Sequence, residues 1–140
     1  MSAPLAMLAV QGAVYAVLSA DATLTGDLGV GVYDAVPEEA SFPYVVLGEA
    51  TEVPANSQDR HGRDVVITLH VWTRALGHTE GLEIGQRIQA LLDHQPLSIP
   101  GLDHVATLFE FGQTLVDPEP PGDIRHLVLR YRVRTEQPPA

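Results

Sequence analysis

Apolar and polar residues alternate with two different periods along this chain, and the longer period predicts two helices. Apolar side chains recur at helical spacing between Pro4 and Ala20, and again from about Thr79 to Asp93. The apolar residues that define the period of the first helix are Leu5, Leu8, Tyr15 and Leu18. Those of the second helix are Ile84, Ile88, Leu91 and Leu92. Gly81 and Gly85 in the second helix are either sites of close packing or simply tolerated glycines.

The shorter period, of two residues, predicts strands over much of the remaining chain. It is clearest from Val65 to Val71, where every second side chain is apolar. Further strands are predicted at Tyr44 to Glu52 and, in a short extended form, at Val30 to Asp34. Two long extended runs, His104 to Val116 and Ile124 to Thr135, are separated by a proline-rich connection. We interpret them as a long β-hairpin.

The order of these elements predicts the fold class. A helix, two strands, a second helix and a hairpin form an α+β domain with a mostly antiparallel β-sheet, two helices on one face of the sheet and a long C-terminal β-hairpin. Residues 1–135 are predicted to form this single domain. Residues 136–140 have nothing to bury and are predicted to be a disordered tail. The N-terminal segment lacks a positively charged start, so we expect a folded helix there rather than a signal peptide.

Composition and charge narrow the classes of function. The chain has 140 residues, 45% of them hydrophobic, no cysteine and a net charge of −10. Disulfides and thiol catalysis are thereby excluded, and the charge argues against a DNA-binding surface. The charge is also uneven, because residues 1–59 hold eight acids and no base, whereas residues 60–140 hold ten acids and eight arginines.

No motif in the sequence points to catalysis. The six histidines lack the spacing of a metal site, and no serine lies in a nucleophile motif. We therefore predict no catalytic residue, no cofactor and no metal site. The alternative to a protein without a reaction is a small enzyme or a ligand-binding α+β domain. Its cleft would lie between the second helix and the sheet and would be lined by His70, Trp72 and Arg87.

A basic stripe on the last strand is the most distinctive charge pattern. Arg130, Arg132 and Arg134 alternate with apolar residues and point to one face of the strand. Acids on the adjacent strand, such as Glu110, could neutralise them. Equally, the stripe could form a head-to-tail subunit interface with the acidic N-terminal region of a second copy, for which Glu49 and Glu52 are the candidates.

Four segments resemble one known family. They are AVQGAVYAVLSADATLTG, VYDAVPEEASFPYVVLGEA, VITLHVWTRALGHTEGLEIGQRIQALLD and the strand LVLRYRVR. In this order they are similar to the tail-completion or tail-terminator proteins, also called head-to-tail joining proteins, of long-tailed phages and gene-transfer-agent-like particles. The resemblance implies a structural virion protein that forms a six-membered ring, terminates the tail tube at its head-proximal end and joins it to the head. It implies neither a reaction nor a cofactor.

The resemblance also implies where the partners bind. One docking element is the loop from Thr51 to Arg63, and the other is the hairpin tip from Asp117 to Asp123. Their docking residues are Asn56, Gln58, Asp59, Arg60 and His61 in the loop, and Asp117, Glu119 and Asp123 in the tip. One element faces the tail and the other the head.

The implied partners are further copies of the chain, the tail-tube protein, the head–tail connector or stopper, and double-stranded DNA that passes through the lumen without specific binding. No membrane is involved. The expected location is the tail–head junction of a virion assembled in the bacterial cytoplasm. Within the same particle, the alternative is a stopper or connector protein of the neck.

Overall fold

A computed structural model describes residues 3–139 and contains two α-helices and five β-strands. The helices are α1 (Met7–Ala20) and α2 (Thr79–Leu92). The strands are β1 (Gly31–Tyr33), β2 (Tyr44–Pro54), β3 (Gly62–Arg74), β4 (Asp103–Val116) and β5 (Ile124–Glu136). The predicted second helix and the predicted hairpin are confirmed. Neither helix, within this described part of the chain, has the length and hydropathy needed to span a membrane.

All five strands form one sheet in the order β1-β2-β3-β5-β4. β1 pairs with β2 in parallel, and the three other pairs are antiparallel. β5 therefore lies between β3 and β4, and β4 is an edge strand. The predicted α+β class with a mostly antiparallel sheet is confirmed.

One face of the sheet carries both helices and the core. The period of two in β3 places Val65, Ile67, Leu69 and Val71 on this helix face, and each is buried. Buried residues of α1, α2 and β5 complete the same cluster. The opposite face, which we call the open face, carries the alternate residues of β3 and β5, including Asp64, His70 and Trp72.

The predicted inner face of the first helix is wrong. Three of the residues that defined its period are exposed, namely Leu5, Leu8 and Tyr15. The buried residues of α1 are Val10, Ala13, Val14 and Leu18. α1 contains no charged residue and is apolar on several sides, so its periodicity fits two faces equally well. The smaller side chains face the sheet, where they allow the helix to pack closely.

The start of the first helix also differs from the prediction. α1 begins at Met7 rather than Pro4. The connector after it contains one π-helical turn at Thr23–Asp27, and Leu24 in this turn is buried in the core.

Glycine at position 85 brings α2 close to the sheet. A Cβ atom built on Gly85 would lie 2.7 Å from Cδ2 of Leu127 in β5. One built on Gly81 would lie 3.9 Å from Thr73, which is an ordinary contact. Of the two explanations for the helical glycines, close packing holds for Gly85.

The two long connections lie at opposite ends of the sheet. Cross-strand partners run from Gly62 and Glu136 at one end to Arg74 and Ile124 at the other. We call the first the loop end, because residues 55–61 join β2 to β3 there. We call the second the hairpin end, because residues 117–123 join β4 to β5 there. Thirteen residues of β3 separate the ends, which is about 40 Å of extended chain.

The C-terminal segment begins inside the sheet. Glu136, assigned to the tail from the sequence, is the last residue of β5, and the backbone N–H of Gln137 donates to the carbonyl of His61. Ala140 lies outside the described residues. The division into a domain and a disordered tail stays a prediction.

Candidate assembly surfaces

Two arginines of the basic stripe are neutralised within the chain. Asp64 of β3 lies opposite Arg134 and accepts hydrogen bonds from its Nε at 2.8 Å and its Nη2 at 2.9 Å. Arg132 contacts the same carboxylate at 3.3 Å and also pairs with Glu110 of β4. The hydrogen bonds from Arg134 hold the pKa of Asp64 below its usual value despite burial. The alternative in which acids on adjacent strands neutralise the stripe is thus realised for Arg132 and Arg134.

Arg130 differs from its two neighbours. Its guanidinium lies 4.7 Å from the centre of the Phe111 ring. Within residues 3–139 it forms no salt bridge. A cation held over an aromatic face keeps its charge available to a second partner. Arg130 is therefore the member of the stripe that retains an unneutralised charge on the open face.

Glu49 belongs to a hydrogen-bonded cluster on the open face. Its carboxylate lies 2.8 Å from Nε2 of His70, and Nδ1 of His70 lies 2.7 Å from Nε2 of His126. The Trp72 ring stacks on His126 at 3.9 Å. The hydrogen bond to His70 lowers the pKa of Glu49, and burial lowers the pKa of His126.

The backbone of β2 makes this cluster possible. The register between β2 and β3 shifts between Leu47 and Ala50, so an irregularity brings Glu49 to the open face. A Cβ on Gly48 would lie 2.5 Å from Cδ2 of His70, so glycine leaves room for the imidazole. Sequence reasoning did not find the cluster, because its members come from three strands. A bulge is not visible in the sequence pattern.

Glu52 has a structural role on the other face. Its carboxylate accepts hydrogen bonds of 2.9 to 3.1 Å from the backbone N–H groups of Ala6 and Met7 and one of 3.1 Å from Arg63. The side chain is 2% exposed. It thus binds the positive end of α1, where a carboxylate is favoured. Glu49 and Glu52 were proposed together as interface acids, but the structure places them on opposite faces of the sheet.

The predicted docking loop has anchored and exposed parts. Arg60 pairs with Asp103 and Glu136 and donates to the carbonyl of Gln137. Asn56 accepts a hydrogen bond from the N–H of Gly62. The remaining three predicted docking residues, Gln58, Asp59 and His61, are exposed. Arg60 and Asn56 therefore hold the loop in shape, and the exposed residues form its accessible surface.

The hairpin tip is also fixed by its own acids. Asp123 pairs with Arg74 at 3.0 Å, and Asp117 accepts a hydrogen bond from the N–H of Glu119. Glu119 itself is exposed. Arg125 donates to the carbonyls of Gly122 and Leu76. The hairpin end therefore carries charges of both signs.

The cleft expected for a small enzyme is not formed. His70 and Trp72 point to the open face, whereas Arg87 belongs to α2 on the helix face, where it binds Asp21. The sheet separates these residues because even-numbered and odd-numbered positions of β3 face opposite sides. Within residues 3–139 no group of three or more His, Asp or Glu side chains is arranged to hold a metal ion.

Comparisons with known proteins relate most of the chain to a tail completion family and to a virion protein. The family model described as Tail completion protein gp17 matches residues 12–136. The tail completion protein gp17 of Bacillus phage SPP1 is 29% identical over 94 residues, which cover 65% of this chain and 66% of that protein, slightly less than two thirds of its length. A chain of the virion of a native gene transfer agent particle is 27% identical with a TM-score of 0.85, over 96% of this chain and 99% of that chain.

Proposed function

Because the chain belongs to the tail completion protein gp17 family, we propose that its copies form a ring at the head-proximal end of the tail, where the ring terminates the tail tube and joins it to the head connector. The chain is a tail completion protein, a structural component of the virion of a phage or gene-transfer-agent particle. The finer proposal adds the ring, which we take to contain six copies, and its two partners.

The observation that carries the proposal is the position of the two docking elements. The loop with Gln58 lies at one end of β3 and β5, and the hairpin tip with Glu119 lies at the other. A subunit with accessible loops at both ends of one rigid sheet can contact two different proteins at once. This geometry suits a joint between a tail tube and a head connector.

The net charge of −10 supports the third element of the proposal, the passage of DNA. Phosphates are repelled by an acidic ring, so a duplex can slide through the lumen without being held. We expect the ring to show no specific affinity for double-stranded DNA.

Binding to the two partners can be tested separately with two single substitutions. Gln58→Arg alters the loop end and Glu119→Arg alters the hairpin end, each at an exposed side chain. Purified variants are added to immobilised tail tubes and, separately, to the isolated head connector. Each variant is expected to lose one partner and retain the other, so each serves as the control for the other. If both variants retain both partners, or each loses both, the two-ended joint is wrong.

A further test concerns the position of the protein in the particle. Tails assembled without the chain are expected to vary in length and to remain unattached to heads. Electron microscopy of such particles, with the wild-type chain added back as the control, measures both properties. Tails of normal length that attach normally to heads would contradict the proposal.

A further inference from the structure

Two apolar surfaces are exposed near opposite edges of the face of the sheet that carries the helices. The first, which we call the α1 ridge, consists of Leu8, Gly12 and Tyr15 on the outer side of α1 and of Leu5, which precedes the helix. The spacing of four and three residues places Leu8, Gly12 and Tyr15 on one side of the helix. Leu8 is 82% exposed and Leu5 is 68% exposed. α1 carries no charged residue, and the acid Asp34 borders the ridge in a shallow pocket that it shares with Leu8, Gly12 and Tyr15.

The glycine in this ridge has no function within the chain. A Cβ atom on Gly12 would meet no heavy atom within 4 Å. Glycine inside a helix is about 1 kcal/mol less favourable than alanine. Gly12 therefore makes the helix less stable, and no contact within the chain requires it. Such a glycine suits a site where another molecule approaches the helix backbone closely.

The second surface is a groove between α2 and β4, which we call the α2–β4 groove. It has a volume of about 460 Å³, and no charged residue lines it. Leu82 lies on its α2 side, Phe109 and Gly112 lie on its β4 side, and Leu127 and Leu129 lie beneath. The rest of the lining is also uncharged and consists of Gly85, Gln86, Gln89, Gln113 and Thr114.

The positions of the two surfaces decide how copies could associate. α1 packs on β1, β2 and β3, and the groove lies at the β4 edge, on the other side of β5. A contact between the ridge of one copy and the groove of another leaves one ridge and one groove unused. Further copies can add to both, so the contact is head-to-tail and closes into a ring when the rotation allows.

Charge favours a second copy of this chain as the occupant of the groove. Two molecules with a net charge of −10 repel each other, and the repulsion is least where the facing surfaces carry no acids. The groove carries no acid, and Asp34 lies at the border of the ridge. We infer that the α1 ridge of one copy docks in the α2–β4 groove of the next. This inference rests on the proposed ring and names the surfaces that build it.

Three matched substitutions test this interface in the full-length chain. Leu8→Glu places a charge in the ridge and Leu82→Glu places one in the groove. Leu76→Glu is the control, because Leu76 is 83% exposed and lies in the β3–α2 connection outside both surfaces. All three variants change the net charge by the same amount. Circular dichroism establishes that each is folded, and sedimentation velocity measures its assembly.

The expected results are specific to a head-to-tail contact. Leu8→Glu and Leu82→Glu are each monomeric at concentrations where the wild type and Leu76→Glu assemble. An equimolar mixture of Leu8→Glu and Leu82→Glu forms a dimer and nothing larger, because the first variant retains its groove and the second its ridge. A two-fold dimer with two such contacts would also keep one of them in the mixture, but its wild type would stop at a dimer, whereas head-to-tail copies form larger assemblies.

Several outcomes would overturn the inference. If the wild type assembles and both variants assemble equally well, the ring stands but its interface lies elsewhere. If Arg130→Glu alone prevents assembly, the interface predicted from the basic stripe is the correct one. If the mixture of variants stays monomeric, the contact is not head-to-tail. A wild-type chain that stays monomeric both alone and on tail tubes overturns the proposed ring together with this interface.

Discussion

The carboxylate of Asp21 accepts two hydrogen bonds from the guanidinium of Arg87, at 2.8 Å from Nε and 2.6 Å from Nη2. Asp21 directly follows α1, and Arg87 lies in the middle of α2, so the pair joins the two helices. Asp21 also accepts the N–H of Leu24 at 2.9 Å, which orders the π-helical turn. The Arg87 guanidinium holds the pKa of Asp21 below its usual value.

Replacement of Asp21 by Asn is expected to lower the free energy of unfolding at pH 7 by about 1–3 kcal/mol, the usual range for a hydrogen bond to a charged group. The pKa of Asp21 is lowered in the folded chain. The Asp21 carboxylate therefore stabilises the fold fully above the ordinary aspartate pKa, and this stabilisation is lost as the pH falls through the pKa of Asp21 in the folded chain. Urea unfolding at pH 7 and at about pH 3 measures the difference between the two proteins, which is expected to shrink in acid. Asp27→Asn, an exposed acid nearby, is the control and should be neutral. A difference of equal size at both pH values would contradict the role of the ion pair.

Replacement of Glu52 by Gln tests the start of α1. The carboxylate binds two N–H groups of the first turn and Arg63, so we expect a loss of about 0.5–2 kcal/mol in the free energy of unfolding. Hydrogen exchange at Ala6 and Met7 is expected to become faster. Glu38→Gln removes an exposed acid and should alter neither quantity. Unchanged exchange at the first turn of α1 in Glu52→Gln would show that the carboxylate does not stabilise this helix end.

Two glycine-to-alanine substitutions are expected to change stability in opposite directions. Gly12→Ala gains helix propensity and meets no atom within 4 Å, so the free energy of unfolding should rise by up to about 1 kcal/mol. Gly85→Ala gains the same propensity but places a Cβ atom 2.7 Å from Cδ2 of Leu127, so overpacking of about 1–3 kcal/mol should outweigh the gain and lower stability by up to about 2 kcal/mol. Thermal unfolding of the two variants, measured under conditions where the wild type is monomeric, compares them directly. A gain in stability from Gly85→Ala would show that α2 does not pack against β5 as described.

The stability of the fold is expected to depend on His126 below about pH 6.5, the ordinary pKa of histidine. Burial and the neighbouring His70 lower the pKa of His126, while Glu49 and Asp117 oppose the shift. A base with a lowered pKa binds fewer protons in the folded chain, so stability falls as the pH drops below the ordinary histidine value. His126→Phe keeps an aromatic ring on Trp72 and should reduce this slope, whereas the exposed His61→Phe should not. Trp72 is the sole tryptophan, so its fluorescence follows unfolding at each pH. An undiminished slope in His126→Phe would assign the pH dependence to another group.

The positions of the strands and of α2 could be predicted from the sequence because each has a single dominant period. β3 alternates between a buried and an accessible side, and α2 has one apolar face. The face of α1 could not be predicted in this way. Its exposed side carries Leu8 and Tyr15, which are larger than the buried Val10 and Val14. The size and hydrophobicity of the side chains therefore indicate the wrong side of α1 as the buried one.

The charged contacts were predictable only in part. Glu110 was a foreseeable partner of Arg132, because a hairpin places its two strands side by side. Asp64 was not foreseeable, because its contact with Arg134 depends on β5 inserting between β3 and β4. Glu49 and Glu52 lie on opposite faces because they are three residues apart in one strand, but the irregularity in β2 decides that Glu49 is the one on the open face. These contacts follow from the register of the sheet, and the sequence pattern does not determine that register.

The antiparallel pairing of β3 and β5 has a mechanical consequence. In the proposed joint, tension between tail and head enters through the loop before β3 and leaves through the hairpin tip before β5. These two points lie at opposite ends of a continuous ladder from Gly62 to Arg74. Such a pull loads all the inter-strand hydrogen bonds in shear, so they resist together and do not open one after another. A subunit built in this way can transmit force along its strands without unfolding from one end.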